Sequence, residues 1–225
     1  MLRRLMLVAA LCAAGPLGAV TLEGQQTYDL LFRSGTLDEI GRDKALVYTR
    51  EVRNSLKPEA ADRDTGEIAL LFSDTEEGIA RLEFRQDGRH RGMGKFPASV
   101  GNPMIMMFYE SVIRDMAESA GGSPFYIRNR VKEALVQPSE VIEGEVVIDG
   151  ETVPTRTIRL YPFRDDPNAD RMQGFGALEL EVTMSEAVPG WYMQLVADVP
   201  AEAGGEGPVY HSVITFDALR AGGGQ

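Results

Sequence analysis

Apolar and polar residues alternate with a period of two along most of the chain, the signature of strands with one buried and one wet face. Ala80, Leu82 and Phe84 interleave with Arg81, Glu83 and Arg85, and Leu178, Leu180, Val182 and Met184 interleave with Glu179, Glu181 and Thr183. Looser versions cover Thr27 to Arg33, Ala45 to Arg53, Glu67 to Phe72, Arg89 to Phe96, Val141 to Ile148, Thr155 to Phe163, Trp191 to Val199 and Val209 to Phe216. The pattern predicts about ten strands. Asp87-Gly88, Asp149-Gly150 and Pro189-Gly190 tolerate the backbone angles of tight reversals, so neighbouring strands should pair antiparallel.

The rhythm breaks in the middle. Asn102 can cap a helix with Pro103 at its first position, and the run from Met104 to Ala120 stops at Gly121-Gly122. Ser123-Pro124 repeats that start and leads into a second helix from Phe125 to about Val136, before Pro138. Strands, two helices and strands again predict an α+β domain: a single curved antiparallel sheet, a half-barrel, with a central helical hairpin packed on its concave face. Lys57 to Asp64 and Ala201 to Pro208 read as surface loops.

At 100° per residue, one half of the first helix carries Glu110, Ser111, Arg114, Asp115, Glu118 and Ser119 and should face water. The other half holds Ile105, Met106, Tyr109, Val112, Ile113, Met116 and Ala117. Met104, Met107 and Phe108 project toward the polar half, so the first turns are apolar almost all round. Something must cover them. Core burial by the second helix or a strand is one explanation; the other is a hydrophobic ligand, to which methionine's flexible thioether adapts. The candidate pocket then lies between helix and sheet, made by Met104, Met107 and Phe108 with Phe84, Leu160 and Leu180.

The ends suggest export. Arg3 and Arg4, the apolar run Leu5 to Ala14 and the exit Leu17-Gly18-Ala19 predict a signal peptide over residues 1–19, a single domain over 20–220 and a disordered Gly-rich tail over 221–225. Cys12, the chain's one cysteine, lies inside that signal after the bulky Leu11, so neither a lipid anchor nor a disulfide is expected, as suits a periplasmic protein. Thirty-four acidic residues against 23 basic ones give a net charge of −11, which argues against nucleic-acid binding. No later stretch is apolar enough to span a membrane.

Candidate chemistry is sparse. Arg128, Arg130 and Lys132 make the second helix locally basic, a patch for an anionic group or an acidic partner, or a solvated face. The Gly121-Gly122-Ser123-Pro124 junction suits an anion in principle and a tight corner better. Asp165, Asp166, Asn168 and Asp170 lack the spacing of a calcium loop, and His90 and His211 have no cysteine to complete a zinc site. Ser99 has proline where a nucleophile elbow wants its leading glycine, and adjacent His211 and Ser212 point to opposite faces of a strand. Trp191 and Tyr192 could gate a pocket or fill a sheet edge. No metal, cofactor or catalytic residue is expected.

In element order and in the apolar helix of Met104 to Ala117, residues 27–217 resemble the periplasmic half-barrel carriers of the lipoprotein-localisation-factor type. The resemblance implies a cavity for acyl chains, with no motif that carries a residue's role across. The expectation is a non-enzymatic periplasmic protein that binds a hydrophobic or lipidic ligand, such as a lipid or an acylated peptide; the alternative is a cell-envelope interaction module with a fully packed core.

Overall fold

The computed structural model describes residues 18–73, 76–148, 150–201 and 205–222. It is an α+β fold with one ten-stranded antiparallel sheet, not closed into a barrel, and four α-helices. The strands are β1 (Gly18–Leu22), β2 (Lys44–Asn54), β3 (Gly66–Phe72), β4 (Ile79–Gln86), β5 (Arg89–Pro97), β6 (Ser139–Ile148), β7 (Glu151–Leu160), β8 (Glu179–Met184), β9 (Tyr192–Val199) and β10 (Tyr210–Ala221). The helices are α1 (Gly24–Leu31), α2 (Pro58–Asp64), α3 (Met104–Ala120) and α4 (Pro124–Leu135).

Sheet order is β1-β6-β7-β8-β9-β10-β2-β3-β4-β5, which dictates where the helices go. The chain leaves the sheet at the β5 edge and re-enters at β6, next to the opposite edge. The α3 and α4 segment therefore has to cross one face, and there Met104, Ile105, Phe108 and Val112 pack in one core with Leu46, Tyr48, Leu70, Leu82, Leu180 and Leu195. The other face carries polar pairs set opposite by the register: Glu67 with Arg85, Thr157 with Thr183 and Arg159 with Glu181. Such division of faces is what period-two alternation encodes.

Nine of the expected strands form. The tenth, Thr27 to Arg33, is a correction: α1 occupies it, with Gly24, Thr27 and Leu31 buried at helical spacing and the Glu23 amide donating to Gln26 Oε1 at 3.3 Å. Lys57 to Asp64 is a second, because α2 starts on Pro58 and buries Ala60, Ala61 and Asp64. The sheet's remaining strand is β1, whose Gly18 and Ala19 pair with Glu143 and Ile142. Residues 1–17 of the expected export signal lie outside the described residues, as do 202–204 of the expected loop and 223–225 of the expected tail. Ala221 pairs with Lys44, and the Gly222 amide donates to Asp43 O at 2.6 Å.

Two close approaches lock α1 in place. A Cβ on Gly24 would stand 1.8 Å from the Val136 carbonyl oxygen at the end of α4, so only glycine lets the two helices meet. Gly24→Ala should cost about 1–3 kcal/mol by forcing the backbones apart, read as a lower urea midpoint with an unchanged slope. At the other end of α1, the carbonyls of Leu30 and Leu31 accept from Trp191 Nε1 at 3.2 Å and from the Tyr192 hydroxyl at 2.6 Å. Trp191 has φ +82° and is bridged by the Tyr192 amide donating to Gly190 O at 3.0 Å, a strained turn held by those contacts. Both aromatics are buried, and β9 lies inside the sheet, so neither fills a sheet edge.

Candidate functional site

The helix α3 meets the sheet through two polar contacts: Asn54 Nδ2 of β2 donates to Ser119 Oγ at 2.7 Å, and a charged cluster lies alongside. On β2 the inward positions run Leu46, Tyr48, Arg50, and Arg50 is 1% exposed. Asp115 of α3, 5% exposed, answers it: Oδ2 accepts from Arg50 Nη2 and from the Tyr210 hydroxyl, both at 2.8 Å, and Oδ1 accepts from Arg114 Nε at 3.0 Å and Nη2 at 2.7 Å. The chain of pairs continues outward through Asp64, which accepts from Arg114 and Arg63, to Glu118 on the surface. Burial pushes the Asp64 carboxyl up, but Arg63, Arg114 and Arg50 outweigh it and hold it below its ordinary range. Three arginines balance three carboxylates, and Asp115 fills all four of its acceptor directions. This cluster fastens helix to sheet and leaves Asp115 without a vacancy for proton transfer.

Ser111 and Asp115 are therefore buried where a wet face was expected, and Met106 is exposed where an apolar one was. The reason is that α3 is covered on more than one side. Its exposed positions shrink to the four-residue stripe Met106, Glu110, Arg114 and Glu118. Met104, Met107, Phe108, Phe84, Leu160 and Leu180 all lie in the continuous buried core. Leu160 also borders a cleft of about 510 Å³ between α4 and the segment after β7, together with Arg130, Arg159, Arg164, Glu133 and Asp165. Charges there are compensated: Arg130 pairs with Glu133 at 2.6 Å and Asp166 at 2.9 Å, and Arg159 with Glu181 at 2.7 Å. Arg128 is held by Glu110 at 2.6 Å. Of the expected basic patch, Lys132 alone has no ion pair among the described residues.

A different opening forms where α3 hands over to α4. Gly121 and Gly122 have φ of +77° and +93° with free space around them, so they serve the reversal itself. The corner leaves a gap between Met116 and Ala120 on α3 and Tyr126 and Ile127 on α4, closed on its far side by Asn168, Arg171 and Met172. That far wall is tied down at both ends: the Tyr126 hydroxyl donates to Asp166 at 2.6 Å, and Gln173 Nε2 donates to Ala120 O at 3.3 Å. The cleft measures about 370 Å³, and its buried side chains are Met116, Ile127 and Met172. Next to it Phe125 is 75% exposed. Two further clefts, of about 580 and 180 Å³, share Trp191 as a wall and are bordered by Asp38, Glu39 and Glu186 and by Glu143, Glu145 and Glu186.

Among the described residues no cluster of His, Cys, Asp and Glu suits a metal ion. Asp166 instead takes the Tyr126 hydroxyl, the Asn168 amide at 2.8 Å and the charge of Arg130. Burial pushes its carboxyl up, and these partners bring it below the ordinary value. His211 faces Asp198 at 2.8 Å, and His90 faces Glu83 at 3.0 Å. No described helix is long and apolar enough to cross a membrane. No protein-family model matches the chain, and no curated protein matches it.

Proposed function

We propose that this is an exported, non-catalytic protein that binds a hydrophobic or lipidic ligand, with the apolar part of the ligand entering the α3–α4 corner. In this reading the sheet bends as a half-barrel around a helical hairpin, and the periplasm, where acyl-bearing molecules must be shielded from water, is where it works. The carrying observation is the corner cleft: Met116, Ala120, Ile127 and Met172 present an apolar wall to solvent beside an exposed Phe125. Two methionines suit variable apolar shapes. Met104, Met107 and Phe108 belong to the same continuous buried core as Met116, Ile127 and Met172. A non-catalytic role is supported by Asp115, whose acceptor positions are all committed.

A second reading, a cell-envelope interaction module, is favoured by the large apolar side chains that α1, α3 and α4 leave exposed: Tyr28, Met106 and Phe125. One experiment separates the two. A fluorescent fatty acid should bind the purified wild-type chain saturably, and Ala120→Trp, which fills the cleft, should weaken it at least about tenfold, a loss of about 1.4 kcal/mol. A folded wild type that binds no probe rejects the ligand reading. Native mass spectrometry of protein from its own host would identify a retained molecule.

A further inference from the structure

We infer that the ligand of the corner cleft is a single-chain amphiphile with an anionic head, and that Arg171 reads the head. The inference rests on the binding function proposed above and adds its chemical class. Of the four clefts described, the corner alone has no carboxylate in its wall, in a chain with 34 acidic residues. Its polar members are Ser123, Tyr126, Asn168 and Arg171; the Tyr126 hydroxyl proton is already given to Asp166, which leaves Ser123, Asn168 and Arg171 able to donate. The Arg171 side chain, at the exposed rim, has no ion pair or hydrogen bond among the described residues. The Ser123 hydroxyl makes no capping bond to α4 and remains open to a ligand oxygen.

The charge pattern and the shape point the same way. A guanidinium matches the two oxygens of a carboxylate or phosphate with paired donors, which a neutral alcohol cannot return. An apolar wall that ends at such a group sorts one molecule into two parts, a tail on Met116 and Met172 and a head at Arg171. The volume of about 370 Å³ is near the lower end of small-molecule sites, roughly 300–1,000 Å³, and so suits one chain rather than two.

Three probes with one tail test this: dodecanoate, dodecyl phosphate and dodecanol, titrated below their aggregation limits into the full chain at low ionic strength. The wild type should bind at least one of the two anions about tenfold or more tightly than the alcohol, with the preference shrinking as salt is added. Which anion is preferred tells a fatty acid from a phosphate-headed lipid. In Arg171→Gln, folded by circular dichroism, the three should bind alike, and Arg171→Lys should restore part of the preference. Equal wild-type affinities, or a preference that survives in Arg171→Gln, overturn the head assignment and leave the hydrophobic binding function standing. No binding of any probe overturns both.

Discussion

Raising the pH past about 10 should unfold this protein over a narrow range, with tyrosinate absorbance and loss of sheet ellipticity appearing together. Tyr48, Tyr109, Tyr192 and Tyr210 are all buried, and burial raises each phenol well above its ordinary value near 10. A group whose folded pKa is raised contributes stability that is complete below the unfolded pKa and lost as pH climbs toward the folded one. Above pH 10 the unfolded chain releases four protons that the folded chain keeps. Each costs about 1.4 kcal/mol per pH unit, so four together remove about 5–6 kcal/mol per unit. Domains are stable by about 5–15 kcal/mol in all, so one to three units suffice. Tyr109 offers a control because its hydroxyl has no hydrogen-bond partner among the described residues. Tyr109→Phe should leave neutral-pH stability intact and lower the alkaline slope by about a quarter. Gradual titration of these phenols in a chain that keeps its ellipticity would contradict the account.

Much of this architecture could be read in advance because strand alternation is a local property. Ala80 to Arg85 and Leu178 to Met184 specify face and register with no knowledge of their neighbours. The capped limits of α3 follow equally from Asn102, Pro103 and Gly121, and Asn102 Oδ1 does accept the Met104 amide at 3.0 Å. What failed depended on distant contacts. In α1, Tyr28, Leu30 and Phe32 alternate with Asp29 and Leu31 as a strand would in part, and the decision is made by Gly24 against Val136 and by Trp191 and Tyr192 at the other end. Strand β1 begins at Gly18, inside the segment that reads as an export signal, and runs past that signal's expected end at Ala19 to Leu22.

The candidate site divides the same way. One buried charge had left a trace: Arg50 falls in phase with Leu46 and Tyr48, a cation at an inward strand position that demands a carboxylate from the element above. A helical wheel puts Asp115 on the half expected to face water, because it cannot show that Arg50 and Tyr210 lie opposite. Arg171 and Met172 left no trace, because their segment has neither period and meets α3 and α4 through tertiary bonds such as those of Tyr126, Arg130 and Gln173.

Asp115→Ala should be the most damaging single substitution at neutral pH, destabilising by about 3–5 kcal/mol. It strips the partner from Arg50, a fully buried cation, and from the Tyr210 hydroxyl, so both desolvation penalties remain with nothing against them. For a chain of this size each kcal/mol moves the melting temperature by about 2–4 °C, giving a fall on the order of 10 °C, readable by calorimetry. Removing the whole buried group should behave differently. In Arg50→Met/Asp115→Leu the charges leave together, but Tyr210 still has an orphaned hydroxyl, so about 1–3 kcal/mol of the loss should persist. Adding Tyr210→Phe should bring stability back to the wild-type level or above it, since an apolar replacement of a buried ion pair is often neutral or stabilising by about 1–4 kcal/mol. If the triple variant is as unstable as Asp115→Ala, the cluster gains more from its mutual attraction than its ions lose on leaving water. The same series bears on acid unfolding: Asp64 is held below its ordinary pKa by Arg63, Arg114 and Arg50, so its contribution is complete above about pH 4 and disappears as pH falls toward the folded value. Removing Arg50 takes one of those cations away, and the triple variant should therefore lose less stability between neutral pH and acid than the wild type does.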